Sequence, residues 1–250
     1  MLRLNGITKM FGGLTALEDV SFSVKEGSIT GIIGPNGAGK TTLFNIVTGL
    51  YTQTAGEVYL NEKNISFLNT ERLAKLGLVR TFQNVELFGQ MTVLENVMVG
   101  LHTHSRSGIF SCAFKLPGHL KEEKVVREKS MEWLKFTGMA DLASMKAGNL
   151  SFGKGRLLEI SRALAALPRV ILMDEPAAGL NTRETDELAL LIHKIKDAGI
   201  TVTLVEHDMD LVMDICDSVV VLNLGKKLAE GTPRQIQENP EVISAYLGEG

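Results

Sequence analysis

The residues Gly34-Pro35-Asn36-Gly37-Ala38-Gly39-Lys40-Thr41 have the glycine spacing and terminal Lys-Thr pair of a loop that wraps a phosphate chain. Glycines let backbone N–H groups turn inward without Cβ clashes. An apolar, strand-like run, Ile29 to Ile33, leads in, and a helical pattern from Thr41 to Val47 leads out. The N-terminal dipole of that helix points at the same anion, and Thr42 extends the site into its first turn. Lys40 is placed to reach the β- and γ-phosphates, and the Thr41 hydroxyl to take one position on Mg²⁺. A nucleoside triphosphate site is the expectation.

Val170-Ile-Leu-Met-Asp174-Glu175 is an apolar strand ending in two acids. Such a strand is buried in a parallel sheet, whose C-terminal edge is where ligands sit in open α/β folds. There Asp174 would hold Mg²⁺ and Glu175 would orient or deprotonate water. Thr201 to Val205 is a second buried strand, followed by Glu206-His207-Asp208. His207 at that edge can donate to a γ-phosphate. Gln83 ends the run Leu78-Val-Arg-Thr-Phe-Gln83; it is either a solvated strand end or a neutral oxygen ligand for Mg²⁺ or a positioned water. Phe11, beside Gly12 and Gly13, is either turn packing or the flat surface that adenine needs. Ser151 and Gly153 open a helix expected from about Arg156 to Leu167. They describe either a plain helix cap or a second anion cradle, surplus to one triphosphate unless two chains share it.

These groups require an α/β scaffold, and the composition allows one. The chain has 250 residues, 44% hydrophobic and 22% charged, with a net charge of −3. Neither that charge nor any basic stretch gives a reason to expect nucleic acid. Cys112 and Cys216 form no partner pattern, which suits a reducing compartment. The N-terminus lacks the layout of a secretion signal, and no apolar run approaches the about 18 residues that span a bilayer. A membrane role is therefore expected to work through a partner.

Residues 2–10 and Val20 to Val24 alternate as strands do, and Lys25-Glu26-Gly27 reads as a hairpin turn. A short strand is expected at Glu57 to Leu60, with helices at Glu71 to Leu76 and from Met91, capped by Thr92. His102, His104, Cys112 and His119 fit no zinc spacing, and Phe110, Phe114 and Leu116 suggest a long loop that packs against something. Residues 121–137 form a charged amphipathic helix ended by Gly138, and Thr182 to Ala198 another, ended by Gly199. Ser218 to Leu222, a turn at Asn223-Leu-Gly225 and a short strand to Glu230 precede small C-terminal helices.

Taken together the chain resembles the ATP-binding subunit of ABC transporters over nearly its whole length. Gly34–Thr41 is similar to Walker A, Val170–Glu175 to Walker B with its catalytic glutamate, and Gln83 to the Q-loop. Ala178-Gly-Leu-Asn181 is similar to the D-loop, His207 to the switch histidine and Phe11 to the adenine-stacking A-loop. Leu150-Ser-Phe-Gly-Lys154 resembles the LSGGQ signature, departing from it at Phe152 and Lys154. The resemblance implies a single domain: a P-loop NTPase core of mainly parallel sheet flanked by helices, which together with an N-terminal antiparallel β region takes up about 1–83 and 168–250, and a helical signature subdomain at about 84–167. It implies ATP and Mg²⁺ as ligands and a head-to-tail pair of ATPase subunits, in which Ser151 and Gly153 of one chain meet the γ-phosphate held by the other. It further implies membrane-spanning permease partners contacted after Gln83 and near Glu95, a solute-binding protein acting indirectly, and a place on the inner face of the cell membrane. Phe11-Gly-Gly-Leu-Thr-Ala-Leu17, Arg80-Thr-Phe-Gln-Asn84, Met91-Thr-Val-Leu-Glu-Asn96 and Asp174 to Asn181 are similar to the importers of branched-chain amino acids. Importers of urea or amides and lipopolysaccharide exporters share much of this pattern. The rival class is a soluble ABC-type ATPase on nucleic acid or the ribosome, which usually carries tandem ATPase domains or long coiled coils.

Overall fold

The computed structural model describes residues 1–81, 86–101 and 117–247, with the backbone alone at 117–122 and 247. In chain order the elements begin β1 (Leu2–Phe11), β2 (Leu14–Val24), β3 (Ile29–Ile33), α1 (Lys40–Val47), β4 (Ala55–Leu60) and β5 (Lys63–Asn64). They continue through α2 (Thr70–Lys75), β6 (Leu78–Thr81), α3 (Val93–Leu101), α4 (Pro117–Phe136), α5 (Phe152–Ala165) and β7 (Val170–Asp174). The last are α6 (Thr182–Asp197), β8 (Thr201–Val205), α7 (Met209–Ile215), β9 (Ser218–Asn223), β10 (Lys226–Gly231), α8 (Pro233–Gln237) and α9 (Pro240–Leu247).

The chain divides into two units, the first made of Met1–Gln83, Arg169–Ala178 and Thr185–Gly250. It holds an antiparallel sheet of order β2-β1-β4-β5 and a six-stranded sheet of order β10-β9-β3-β8-β7-β6. Within the latter β9, β3, β8, β7 and β6 run parallel, and only β10 turns back antiparallel on β9. Every residue of β3, β7 and β8 is buried, which is why these strands read as apolar runs rather than alternating ones. Strand β1 instead alternates, turning Leu2, Leu4 and Ile7 inward. Those side chains join Leu43 and Phe44 of α1 and Ile32, Leu172 and Val220 of the parallel sheet in one core.

One expectation is corrected here. Lys25-Glu26-Gly27 is not a hairpin turn, because β2 pairs with β1 whereas β3 pairs with β8 and β9. The segment hands the chain from one sheet to the other, and the hairpin lies earlier, where Phe11 pairs with Leu14.

The second unit, Asn84–Pro168 with Gly179–Glu184, contains α3, α4 and α5. Its core gathers Val93, Leu94 and Val97 of α3, Leu134 of α4 and Leu158 of α5. Thr92 and Glu95 cap α3 reciprocally: the Glu95 N–H reaches Thr92 Oγ1 at 3.2 Å, and Glu95 Oε2 accepts the Thr92 N–H at 2.7 Å. Helix α5 starts four residues before the expected Arg156, with Ser151 as its N-cap. His102, His104, Cys112, Phe110, Phe114 and Leu116 lie outside the described residues, as does the side chain of His119.

Candidate active site

The C-terminal ends of β3, β7 and β8 carry the phosphate loop, the paired acids and the histidine. Because these neighbouring strands are parallel, their ends fall on one edge of the sheet. The loop from Gly34 leads into α1, whose N-cap is Gly39 with φ 100° and no side-chain cap. That left-handed backbone needs glycine, and a Cβ there would also stand 2.8 Å from the Ala16 carbonyl oxygen. The first N–H groups of α1 are thus left without a side-chain acceptor, as an anion site requires. Lys40 is buried and folds back on its own loop, with Nζ donating to the carbonyls of Gly34 at 2.5 Å and Pro35 at 2.9 Å.

An open cavity of about 520 Å³ lies over this loop, within the size range of small-molecule and cofactor sites. Asn36, Gly37, Ala38, Gly39, Lys40, Thr41 and Thr42 line its floor. Phe11, Leu14, Ala16 and Leu224 form an apolar flank, and Glu175 with His207 face the same space. All of these belong to the first unit. Phe11 is held edge-on by Tyr51, ring centroids 5.5 Å apart, and Lys9 Nζ lies 4.8 Å from its ring centre.

Asp174 and Glu175 are adjacent in sequence but differ in setting. Asp174 is buried, and its Oδ2 accepts a 2.6 Å hydrogen bond from Arg80 Nη2. The same guanidinium reaches Asn45 Oδ1 at 2.6 Å, so β6, β7 and α1 meet at one charge. Glu175 has φ 46°, a left-handed backbone that is strained for a residue with a Cβ. Its N–H donates to the Val205 carbonyl at 2.9 Å, and its Oε1 lies 3.1 Å from His207 Nε2.

Mg²⁺ takes hard oxygen donors and is commonly held by one or two protein oxygens together with substrate phosphates and water. The Thr41 hydroxyl and the Asp174 carboxylate are donors of that type. Among the described residues no three His, Cys, Asp or Glu side chains converge into an all-protein metal cage. These residues fit a magnesium ion that arrives with the nucleotide's phosphates. Gln83, the remaining expected ligand, lies outside the described residues.

Ser151 and Gly153 belong to the second unit. The Lys154 N–H donates to Ser151 Oγ at 3.4 Å, and a Cβ on Gly153 would overlap the Glu184 carboxylate. Glu184 is itself fixed by a reciprocal cap with Asn181 at the start of α6, both bonds 3.1 Å long. The Phe152 ring packs on Gly179, so within this unit the signature-like turn touches both the D-loop-like turn and, through Gly153 and Glu184, the first turn of α6. Just beyond, Arg156 and Glu159 form a fully buried ion pair at 2.9 Å.

Sequence reasoning missed several residues of this region. Leu14, Thr15, Ala16, Leu224 and Gly225 line the cavity, Arg80 fastens Asp174, and Glu206 accepts backbone N–H groups from two loops. The only sequence signal for Arg80 and Glu206 is a charge inside or directly after a buried strand pattern.

A family model described as "ABC transporter" matches residues 17–178, and one described as "Branched-chain amino acid ATP-binding cassette transporter" matches residues 226–250. The chain is 46% identical over 250 residues to the high-affinity branched-chain amino acid transport ATP-binding protein BraF of Pseudomonas aeruginosa, covering 100% of this chain and 98% of the relative. It superposes with a TM-score of 0.87, at 38% identity, on the ADP conformation of an ATP-binding cassette of an ABC transporter, covering 100% and 99% of the two chains. A dimeric bacterial ABC transporter cassette aligns at TM-score 0.77 and 30% identity, covering 94% and 99%. With the phosphate loop, the paired acids and the histidine on one sheet edge, and a family match that runs from Leu17 of β2 through the phosphate loop and the paired acids to Ala178, the chain belongs to the ABC transporter family as one of its ATP-binding proteins.

Proposed function

We propose that this chain hydrolyses ATP to energise the import of branched-chain amino acids through membrane-spanning permease subunits. The observation that carries the ATPase reading is the single cavity in which the phosphate loop, Glu175 and His207 meet. The solute class rests on full-length similarity to BraF and on the C-terminal model match.

In this reading the phosphate loop residues Gly34 to Thr42 bind the phosphates through backbone N–H groups, with Lys40 leaving its loop carbonyls to reach the β- and γ-oxygens. Phe11 stacks the adenine. Thr41, Asp174 and Gln83 hold Mg²⁺, whose charge offsets that of the phosphates. Glu175 orients and deprotonates the attacking water, and His207 donates to the γ-phosphate while fixing the Glu175 carboxylate. Ser151 and Gly153 bind the γ-phosphate held by a second ATPase subunit, paired head to tail. The first unit is then the ATP-binding core, and the helical second unit is the arm that carries the signature and contacts the permease after Gln83 and around Glu95. Among the described residues no helix is long and apolar enough to cross a membrane. In this reading the chain sits at the inner membrane face through its contacts with the permeases. A solute-binding protein joins the assembly indirectly, and no nucleic acid takes part.

The test is to tag the chain in its source cell, solubilise the membranes gently and identify what co-purifies. Two polytopic proteins, with ATPase activity raised by leucine plus a binding protein, are expected. Ribosomal proteins or nucleic acid without membrane proteins would contradict the transport assignment.

A further inference from the structure

Glu206 is a buried carboxylate, 3% exposed, at the end of β8, and the chemistry described above does not use it. Its Oε1 accepts the Ala177 N–H at 2.7 Å, and its Oε2 accepts the N–H groups of His207 at 2.9 Å and Asp208 at 3.4 Å. Ala177 lies two residues after Glu175, and His207 is the residue that meets Glu175. One carboxylate therefore grips both loops. Burying such a group is costly, and what offsets the cost here is backbone N–H groups rather than a cation. Helix capping does not account for it, because Asp208 caps α7 through its own Oδ1, which accepts the Leu211 N–H at 3.0 Å.

Glu175 sits in a left-handed conformation that a side-chain-bearing residue keeps only when its surroundings over-determine it. The Val205 carbonyl holds the turn at the Glu175 N–H, and the Glu206 carboxylate holds it again at Ala177. We infer that Glu206 is a positioning residue for hydrolysis: its carboxylate clasps the Glu175 turn to the His207 loop and so sets the approach of those two side chains. This rests on the proposed roles of Glu175 and His207.

The experiment compares the full-length wild type with E206Q and E206D in steady-state ATP turnover, equilibrium ATP binding and thermal unfolding. Assays are run well below the melting temperature of each variant. In E206Q an amide N–H₂ faces backbone donors, and one clasp is lost. The expected result is a kcat lowered about tenfold or more with KM and ATP affinity within about threefold of wild type. E206D keeps the charge but withdraws it by one methylene, and its kcat falls between the two. A merely structural role would lower the melting temperature and leave kcat unchanged. An E206Q kcat within about twofold of wild type, or a loss of affinity as large as the loss of turnover, would overturn the inference alone. Should E206Q not fold, E206D decides: a kcat equal to wild type overturns the inference, and a reduced kcat at unchanged KM supports it. A wild-type chain that binds ATP without turning it over overturns the hydrolysis reading and the inference with it.

Discussion

Glu175 and His207 stand 3.1 Å apart across 32 residues of sequence. The proximity follows from the sheet. Strands β7 and β8 are parallel neighbours in register from Val170 with Thr201 to Asp174 with Val205. The residue just past the end of β7 and the second past the end of β8 are therefore delivered to the same edge. In the proposed mechanism the Glu175 carboxylate is held beside the water it activates, and His207 is one partner that holds it. His207→Ala is expected to lower kcat about 10²-fold or more, as removal of an aligned acid–base partner does, with ATP affinity changed no more than a few-fold. A stopped rate assay and a binding titration on the same preparation check this, and a kcat close to wild type would separate His207 from the chemistry.

Phe11 presents an aromatic surface to the cavity, supported edge-on by Tyr51. Phe11→Ala removes that surface and touches no group near the phosphates. The KM for ATP is expected to rise about five- to tenfold, the equivalent of about 1–1.5 kcal/mol of ring stacking, with kcat little changed. An unchanged KM would place the base elsewhere.

Asp217 fastens the first residue of β3, the strand that feeds the phosphate loop. Its Oδ2 accepts the Ile29 N–H at 2.8 Å and its Oδ1 meets Lys196 Nζ at 2.7 Å. Partial burial pushes its pKa up, but the Lys196 contact and the Ile29 N–H outweigh that and leave it below the usual 3.8. A folded-state pKa below the unfolded one gives stabilisation that is complete above the unfolded value and is lost as pH falls through the folded one. Asp217→Asn is therefore expected to cost about 1 kcal/mol at pH 7, a figure reduced for solvent screening of a side chain that is 43% exposed. The difference from wild type in urea unfolding should shrink once the pH drops below 3.8. A gap that stays constant down to strongly acid pH would show that the charge of Asp217 contributes nothing.

What the sequence made legible was local. The phosphate loop, the apolar strand ending in Asp174 and Glu175, and His207 after β8 are each contained in a run of eight residues or fewer. What it hid was set by pairing between distant segments. Arg80 takes its role from Asp174, 94 residues on, and from Asn45, 35 residues back. Glu206 takes its role from Ala177, 29 residues away. The turn at Lys25-Glu26-Gly27 has hairpin composition, and only the separation of β2 and β3 into different sheets reveals it as a crossover. Helix α5 begins earlier than its glycines suggest, because Ser151 caps it and Gly153 is packed on Glu184. Tertiary contact there outweighs a low helix propensity.

The most direct test of the account is ATP turnover by Glu175→Gln. The substitution keeps the shape of the side chain and removes its ability to take a proton, leaving Lys40, Thr41 and Phe11 untouched. ATP binding within about threefold of wild type and turnover reduced about 10²-fold or more are expected. The ATP-bound dimer, unable to reopen by hydrolysis, should accumulate. Hydrolysis by Glu175→Gln at the wild-type rate would contradict the assignment of the base and with it the proposed mechanism.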